Sequence, residues 1–295
     1  MNLLKQLLHN RKSLIGVTIL VVVILVAVFA PLLTEYLPTQ RVGRPHQPPS
    51  ADHLLGTTRL GYDVFTRLIY GARVSLVVGF GAGLLITVIG TVLGIISGYK
   101  GGVVDEVITF FTNMILVIPN LPLLLVLAAF IGQASPLVIA IILGFTSWAW
   151  GVRVTRSETL SIRQRDFVKS AEMLGEPGWR IMTFEIFPNL ISIVGINFIG
   201  SVIFAVISEA TLEFLGLGDP NTVSWGIMLY NAQNSSALSV GAWWDILTPC
   251  LALALLGLGL ALINFAIDEI ANPRLRTGDI LVRWTGRIRR GEGKL

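Results

Sequence analysis

Two groups of residues in this sequence have the type and spacing to do chemical or mechanical work. The first lies between Gly151 and Pro188, a long, basic and patterned stretch. Phe167, Ala171 and Leu174 recur at helical spacing, with Val168 beside them and Ser170 between. Gly175 then supplies a left-handed helix stop. Glu176-Pro177 suits a new helix start, because proline is tolerated in a first turn. Ile181, Phe184 and Phe187 repeat at helical spacing up to Pro188. The pattern predicts a helix, a break and a second helix outside the membrane, with an apolar stripe on a charged background. Such a stripe fits either the groove of a partner protein or the chain's own helical bundle. The second group is Glu209 and Glu213, one helical turn apart near the end of an apolar run. A charge at the bilayer centre costs about 2.5–3.5 kcal/mol on insertion scales, and less near the interface. The two acids therefore either serve a pathway or form an interfacial pair held by helix N–H groups or a neighbouring subunit.

Other chemistries lack their residues. No GxxxxGK[ST] loop, HExxH or GxSxG occurs, and the sequence is expected to bind no ATP, metal or other cofactor itself. His9, His46 and His53 are scattered and match no metal spacing. The single cysteine, Cys250, lies in an apolar run and has no internal disulfide partner. An intramembrane enzyme, the main rival reading, would need a nucleophile or metal constellation within the apolar runs. A channel or scaffold subunit working without ATPases would need no docking loop.

The elements that position these residues are set by composition. The chain has 295 residues, 53% hydrophobic and 14% charged, whereas soluble domains carry about 25% charged residues. Apolar runs at Leu14–Leu33, Val74–Ser97, Val104–Ala128, Leu137–Trp150, Ile191–Leu215 and Ile246–Ile267 predict an all-α integral membrane protein with about six spans. The first run exceeds a signal-peptide core of roughly 7–15 residues, so a retained anchor helix is expected. No Lys or Arg occurs between Lys100 and Arg153 or between Arg180 and Arg274. The basic residues form clusters at the N-terminus, in the Gly151–Pro188 segment and in the C-terminal tail. Short basic clusters between apolar runs mark the cytoplasmic side, which places both termini and that segment inside. They do not form the basic face that nucleic-acid binding requires. The resulting division is a tail and first helix at 1–36, an extracytoplasmic loop at 37–70, a five-helix core at 71–272 containing the 151–190 loop, and a basic tail at 273–295. Arg41, Arg44, Arg59 and Arg67 in the outer segment fit the charge rule least well. That segment, with its prolines and with Leu54, Leu55, Tyr62 and Phe65 as apolar anchors, is expected to pack on the outer face. Gly79, Gly83, Gly90, Gly94 and Gly98 fall four residues apart in two groups on the second span. Small residues at this spacing let helix backbones approach closely.

Ser170-Ala171, Gly175 and Pro188 sit at the spacing of the "EAA…G…P" loop, and here the sequence resembles binding-protein-dependent ABC importer permeases. It departs from the motif at Lys169, where the first Glu is usual, and at Ser170 for the first Ala. Further blocks resemble the C-type subunit of the dipeptide/oligopeptide/nickel permease family. They are His53 to Thr58 running to Gly61-Tyr62-Asp63, Arg67 to Leu76, Ser208 to Gly218, Ser224 to Met228, and Asn272 to Arg276. The resemblance implies a type I importer permease in the inner membrane that forms half of a translocation pathway with a homologous B-type permease. Two cytoplasmic ATPases, which bind ATP and Mg²⁺, would dock on Phe167, Ser170, Ala171, Leu174, Gly175 and Pro188 as the coupling loop. An extracytoplasmic solute-binding protein would deliver the solute. Members carry peptides, nickel chelates, glutathione or oligosaccharides, and no residue here separates these.

The basic clusters make a direct prediction. In a Cys250-free background, a cysteine placed at Arg165 should resist an impermeant thiol reagent added outside intact cells and react after permeabilisation. Labelling from outside would invert the topology.

Overall fold

The computed structural model describes residues 11–271. The Asn272–Arg276 block, the basic tail, Lys5 and His9 lie outside these residues. The described elements are helices α1 (Arg11–Val28), α2 (Ala30–Leu33), α3 (Val64–Lys100), α4 (Gly102–Val117), α5 (Asn120–Ile131), α6 (Pro136–Thr146), α7 (Ala149–Arg163), α8 (Asp166–Met173), α9 (Gly178–Phe214), α10 (Trp225–Asn234) and α11 (Trp244–Ala271). No strand forms among the described residues, where β pairing is limited to isolated bridges. Helices α3, α9 and α11 are long and apolar enough to cross a membrane. Each of the bent pairs α4–α5 and α6–α7 can make one more span, and Lys12–Val28 is a shorter apolar helix. These are the six apolar segments the sequence predicts.

Two of the expected spans are not straight. The run Val104–Ala128 breaks at Ile118–Pro119, where α4 and α5 meet at 85°. Proline disfavours helical backbone at the residue before it, and Ile118 is extended at φ −72°, ψ 125°. The run Leu137–Trp150 bends by 42° between α6 and α7. There the Thr146 hydroxyl donates to the Ile142 carbonyl at 2.7 Å, a back-bond that tends to bend helices. Past this bend the chain stays helical to Arg163, so the first part of the expected 151–190 loop is a helix packed on the bundle. The outer segment is likewise shorter than expected. Helix α3 begins at Val64 and takes in Arg67 and Tyr70, and its 37 residues extend ~55 Å.

The glycines of α3 are the seam on which its neighbours pack. A Cβ on Gly94 would lie 2.6 Å from Thr155 Cβ, and one on Gly98 would lie 2.7 Å from Thr159 Cβ and 2.9 Å from the Arg156 carbonyl. One on Gly83 would lie 3.0 Å from the Val202 backbone nitrogen of α9. Gly94 and Gly98 therefore seat α7, and Gly83 seats α9. A similar close approach joins α1 to α11, where a Cβ on Gly16 would stand 2.6 Å from the Gly259 carbonyl. The buried apolar side chains form three clusters. One lies between α1, α3, α9, α10 and α11, one between α3, α5, α6 and α9, and a small one groups Ile95, Ile162, Val168, Ile181, Ile186 and Leu190. Cys250 is exposed.

Gly94→Ala should lower the melting temperature of the detergent-purified protein, because overpacking typically costs about 1–3 kcal/mol. Gly81, with nothing within 4 Å of a Cβ, is the control. Gly81→Ala should leave stability unchanged or raise it, since alanine is the better helix former by ~1 kcal/mol. Equal melting temperatures for the two variants would remove the seam from this account.

Candidate functional site

Helix α8 hangs at one end of the bundle, beside the Lys100 end of α3. It ends at Leu174 in a double backbone turn. The Gly175 N–H donates to the Glu172 carbonyl at 3.1 Å, and the Glu176 N–H donates to the Ala171 carbonyl at 3.1 Å. This closure requires a left-handed residue after the helix, and Gly175 has φ +77°. Pro177 then caps the start of α9 with an extended backbone. The helix, break and helix expected from the sequence are therefore present.

The second helix leads through Pro188 straight into the fifth apolar segment and runs to Phe214, passing through a π-helical turn at Ile181–Ile186. The Phe187 N–H reaches back five residues to the Met182 carbonyl. Proline lacks an N–H and its ring crowds the preceding turn, and a wider turn immediately before Pro188 accommodates both. The Asn189 side-chain amide donates to the Glu185 carbonyl at 2.7 Å. Wide turns of this kind often mark functional positions.

The predicted stripe on α8 divides between two faces. Val168 is fully buried against Ile181, Ile186 and Leu190, and Ala171 is half-buried at the edge of that cluster. Leu174 is 83% exposed and Met173 is 85% exposed. Phe167, Ser170, Ala171 and Leu174 line one shallow pocket of about 420 Å³ with Glu176, Arg180, Ile181 and Glu185. Trp179 and Phe184 stand exposed nearby in edge-to-face contact, with ring centroids 6.4 Å apart. Pro188 lies beyond the pocket.

At the same end of the bundle lies a charged joint that sequence reasoning missed. Asp105 of α4 accepts two hydrogen bonds from the Arg156 guanidinium of α7, at 2.5 and 2.6 Å. It also accepts from Ser97 of α3 at 2.5 Å. One carboxylate thus ties three helices at the end where α8 is attached. The signal for it was an acidic residue beside the Gly101-Gly102 reversal, facing a chain segment rich in Arg.

Glu209 and Glu213 are both fully buried. Ser75 of α3 donates to the Glu209 carboxylate at 3.2 Å. Ser224, the N-cap of α10, donates to Glu213 and accepts from the Ile227 N–H at 3.2 Å. A Cβ on Gly226 would lie 2.6 Å from Glu213 Oε2, so only glycine lets α10 approach this closely. The two acids hold α9 to α3 and to the start of α10, where a helix N-terminus favours negative charge. Neither lines the cavity beside the two helix bends.

That cavity, about 580 Å³, opens beside the two helix bends. Ile118, Pro119, Asn120, Thr146 and Ser147 come from the bends, Asn197 and Ser201 from α9, and Asn264 from α11. Oδ1 of Asn120, Nδ2 of Asn197 and Oδ1 of Asn264 are buried without a hydrogen-bond partner. Buried amides normally find partners, so these three are free to bond to something that enters. Sequence reasoning missed them because a lone Asn in an apolar run has no recognisable spacing.

Comparison with known proteins bears on these features. Residues 90–277 match the family described as binding-protein-dependent transport system inner membrane component. Residues 2–49 match the N-terminal TM domain of oligopeptide transport permease C. The chain is 31% identical to the dipeptide transport system permease protein DppC of Bacillus subtilis over 274 residues, covering 92% of this chain and 85% of the relative. It is 30% identical to the oligopeptide transport system permease protein OppC of the same organism over 269 residues, covering 90% and 87%. It is 31% identical to a putative peptide transport system permease protein of Brucella abortus over 275 residues, covering 92% and 91%. The matched range takes in the bent helices, the α8 appendage and the cavity, and the chain therefore belongs to the family of binding-protein-dependent transport system inner membrane components.

Proposed function

We propose that this chain is the C-type permease subunit of an ATP-driven peptide importer and forms half of its pathway with a homologous B-type permease. Two ATPase subunits, carrying ATP and Mg²⁺, dock on the α8 end, which faces the cytoplasm with both termini. A solute-binding protein delivers the peptide to the opposite face, where the loop between α2 and α3 lies. The relatives' names supply the solute class. The observation that carries the reading is the α8 appendage, with exposed Phe167 and Leu174 lining a pocket and Met173 exposed on the same helix, joined to α9 by the Gly175 turn.

The mechanism follows from how α8 is held. Val168 anchors the helix on Ile181 and Ile186 of α9. A push on α8 therefore reaches α9 through a packed contact and through a covalent turn only a few residues long. Helix α9 carries Asn197 and Ser201 into the cavity, so the same rigid element meets the ATPase at one end and the solute in its middle. Coupling requires contacts that differ between two states, and a loose joint would not carry them. The unpartnered Oδ1 of Asn120, Nδ2 of Asn197 and Oδ1 of Asn264 offer both a donor and acceptors, which suits neutral peptide groups.

Two variants test this in vesicles reconstituted with partner permease, ATPases and binding protein. At Gly175 a Cβ would meet nothing within 4 Å, so Gly175→Val costs only backbone strain, about 1–2 kcal/mol. It should leave membrane insertion intact and reduce peptide uptake, by weakening ATPase docking or by uncoupling hydrolysis. Normal uptake with normal stimulation by the binding protein would sink the coupling role. Asn197→Leu should preserve ATPase stimulation while lowering uptake several-fold, since an amide–peptide hydrogen bond is worth about 0.5–1.5 kcal/mol. Unchanged uptake would take the cavity out of the pathway.

A further inference from the structure

A second, smaller cavity of about 230 Å³ lies at the other end of the bundle from α8. It sits between the first turn of α3, the first turn of α11 and the C-terminal half of α10. Its lining includes Arg67 of α3 and Asp245 of α11, together with Arg59, Tyr62, Asn231 and Asn234. Arg67 is 4% exposed and Asp245 is 3% exposed. Charged residues are almost never buried to this degree unless paired.

These two are incompletely paired. The Arg67 guanidinium donates to the Pro38 carbonyl at 3.3 Å and lies 5.1 Å from the Tyr62 ring centroid. A guanidinium has five N–H donors, and this accounts for one of them. Asp245 accepts no hydrogen bond on its carboxylate among the described residues, and its only charged neighbour of consequence is Arg67. The two groups feel each other's field but form no direct ion pair. The backbone carbonyl of Asp245 is short of a donor too, because Pro249, one turn on in α11, has no N–H to give it. A cation donor and an anion acceptor thus stand in one cavity without closing on each other.

The surrounding residues account for why the two remain apart. The Trp225 indole on α10 donates to the Leu68 carbonyl at 2.9 Å, and the Trp244 indole donates to the Thr57 carbonyl at 3.2 Å. These bonds hold α10 to α3, and the head of α11 to the loop that precedes α3. Arg67 and Asp245 are therefore fixed on separate walls.

We propose that this cavity binds a short zwitterionic peptide, with Arg67 facing its carboxylate and Asp245 its ammonium group. Naming a peptide as the ligand rests on the importer reading above. The geometry by itself asks for a small molecule with one negative and one positive end. Drug-sized ligands occupy about 300–1,000 Å³, so this cavity suits one or two residues and not a long chain. Exposed Arg59 at the rim adds a second positive charge beside Arg67, and Asn231 and Asn234 can bond a peptide group between the charged ends. The site lies on the proposed delivery face. It would receive a peptide before the amide-lined cavity deeper in the bundle does.

The test is a calorimetric titration of the purified, assembled transporter without binding protein or nucleotide. Glycylglycine, its N-acetyl derivative, its C-terminal amide and free glycine are titrated in parallel. Glycylglycine should bind saturably, and loss of either terminal charge should weaken it roughly 10- to 100-fold, the range for a hydrogen bond to a charged group. Arg67→Gln should weaken glycylglycine but not its amide, and Asp245→Asn should weaken glycylglycine but not the acetyl form. The wild-type ligand series decides the matter even if these variants fail to assemble. Absence of saturable binding, or equal binding of the charged and blocked dipeptides, overturns the proposal. Glycine binding as tightly as glycylglycine also overturns it, by assigning the cavity to free amino acids. Uptake assays separate this from the importer reading. Peptide uptake without binding at this cavity defeats the proposal alone, whereas binding without uptake of any peptide defeats the importer reading alone.

Discussion

Helices in lipid gain nothing from burying apolar side chains against one another, because the surrounding tails are equally apolar. Their association must come from close backbone approach and from polar contacts, and in this protein both converge on α3. Its glycines bring Thr155 and Thr159 of α7 and Val202 of α9 to distances that no side chain on α3 would permit. The helices that carry the α8 appendage and the large cavity are thus positioned by residues with no side chain at all. Where α3 ends, Ser97 meets the Asp105–Arg156 pair. A bidentate guanidinium–carboxylate contact adds direction to the packing, fixing α4 to α7 two turns before α7 ends.

The opposite end of the bundle is held by a different set of polar bonds. His53 Nδ1 lies 3.1 Å from the Asp63 carboxylate, which also accepts from the Thr66 N–H and hydroxyl at 2.8 Å. Glu209 and Glu213 reach Ser75 and Ser224, and the Trp225 and Trp244 indoles donate to backbone carbonyls. These residues fall within the blocks His53–Asp63, Ser208–Gly218 and Ser224–Met228, or pack directly beside them. Buried polar groups cost free energy unless they are hydrogen-bonded, and each of these bonds needs a particular side chain at a particular place. That requirement explains why such blocks are recognisable while the apolar spans between them are not.

Helix α9 spans the two ends. At the α8 end it is joined to the appendage by the Val168 contact and the Gly175 turn. In its middle it carries Asn197 and Ser201 at the larger cavity. At its far end Glu209 and Glu213 fasten it to α3 and α10. The π-helical turn before Pro188 is the one irregular stretch along this element. Its ends, Ile181 and Ile186, are the residues on which Val168 packs, so the appendage meets α9 at its irregular turn.

The sequence by itself determined the helical class, the number of apolar segments and the break at Gly175. Each of these follows from local rules: the length of an apolar run, the period of a stripe, or the backbone freedom of one residue. Local rules also exposed Phe167 and Leu174 as members of one patch. They did not reveal that Val168 would be the buried anchor, because a short amphipathic helix does not say which neighbour it will meet. The 85° bend at Pro119 was open to a local argument, yet the surrounding apolar run masked it. Only the tertiary structure decided that Glu209 and Glu213 meet Ser75 and Ser224, that Asp105 joins three helices, and that Asn120, Asn197 and Asn264 share a cavity. Arg67 and Asp245 are 178 positions apart in the chain, and no periodicity relates them. Their meeting depends on where α3 and α11 start relative to each other, and that is set by packing across the whole bundle.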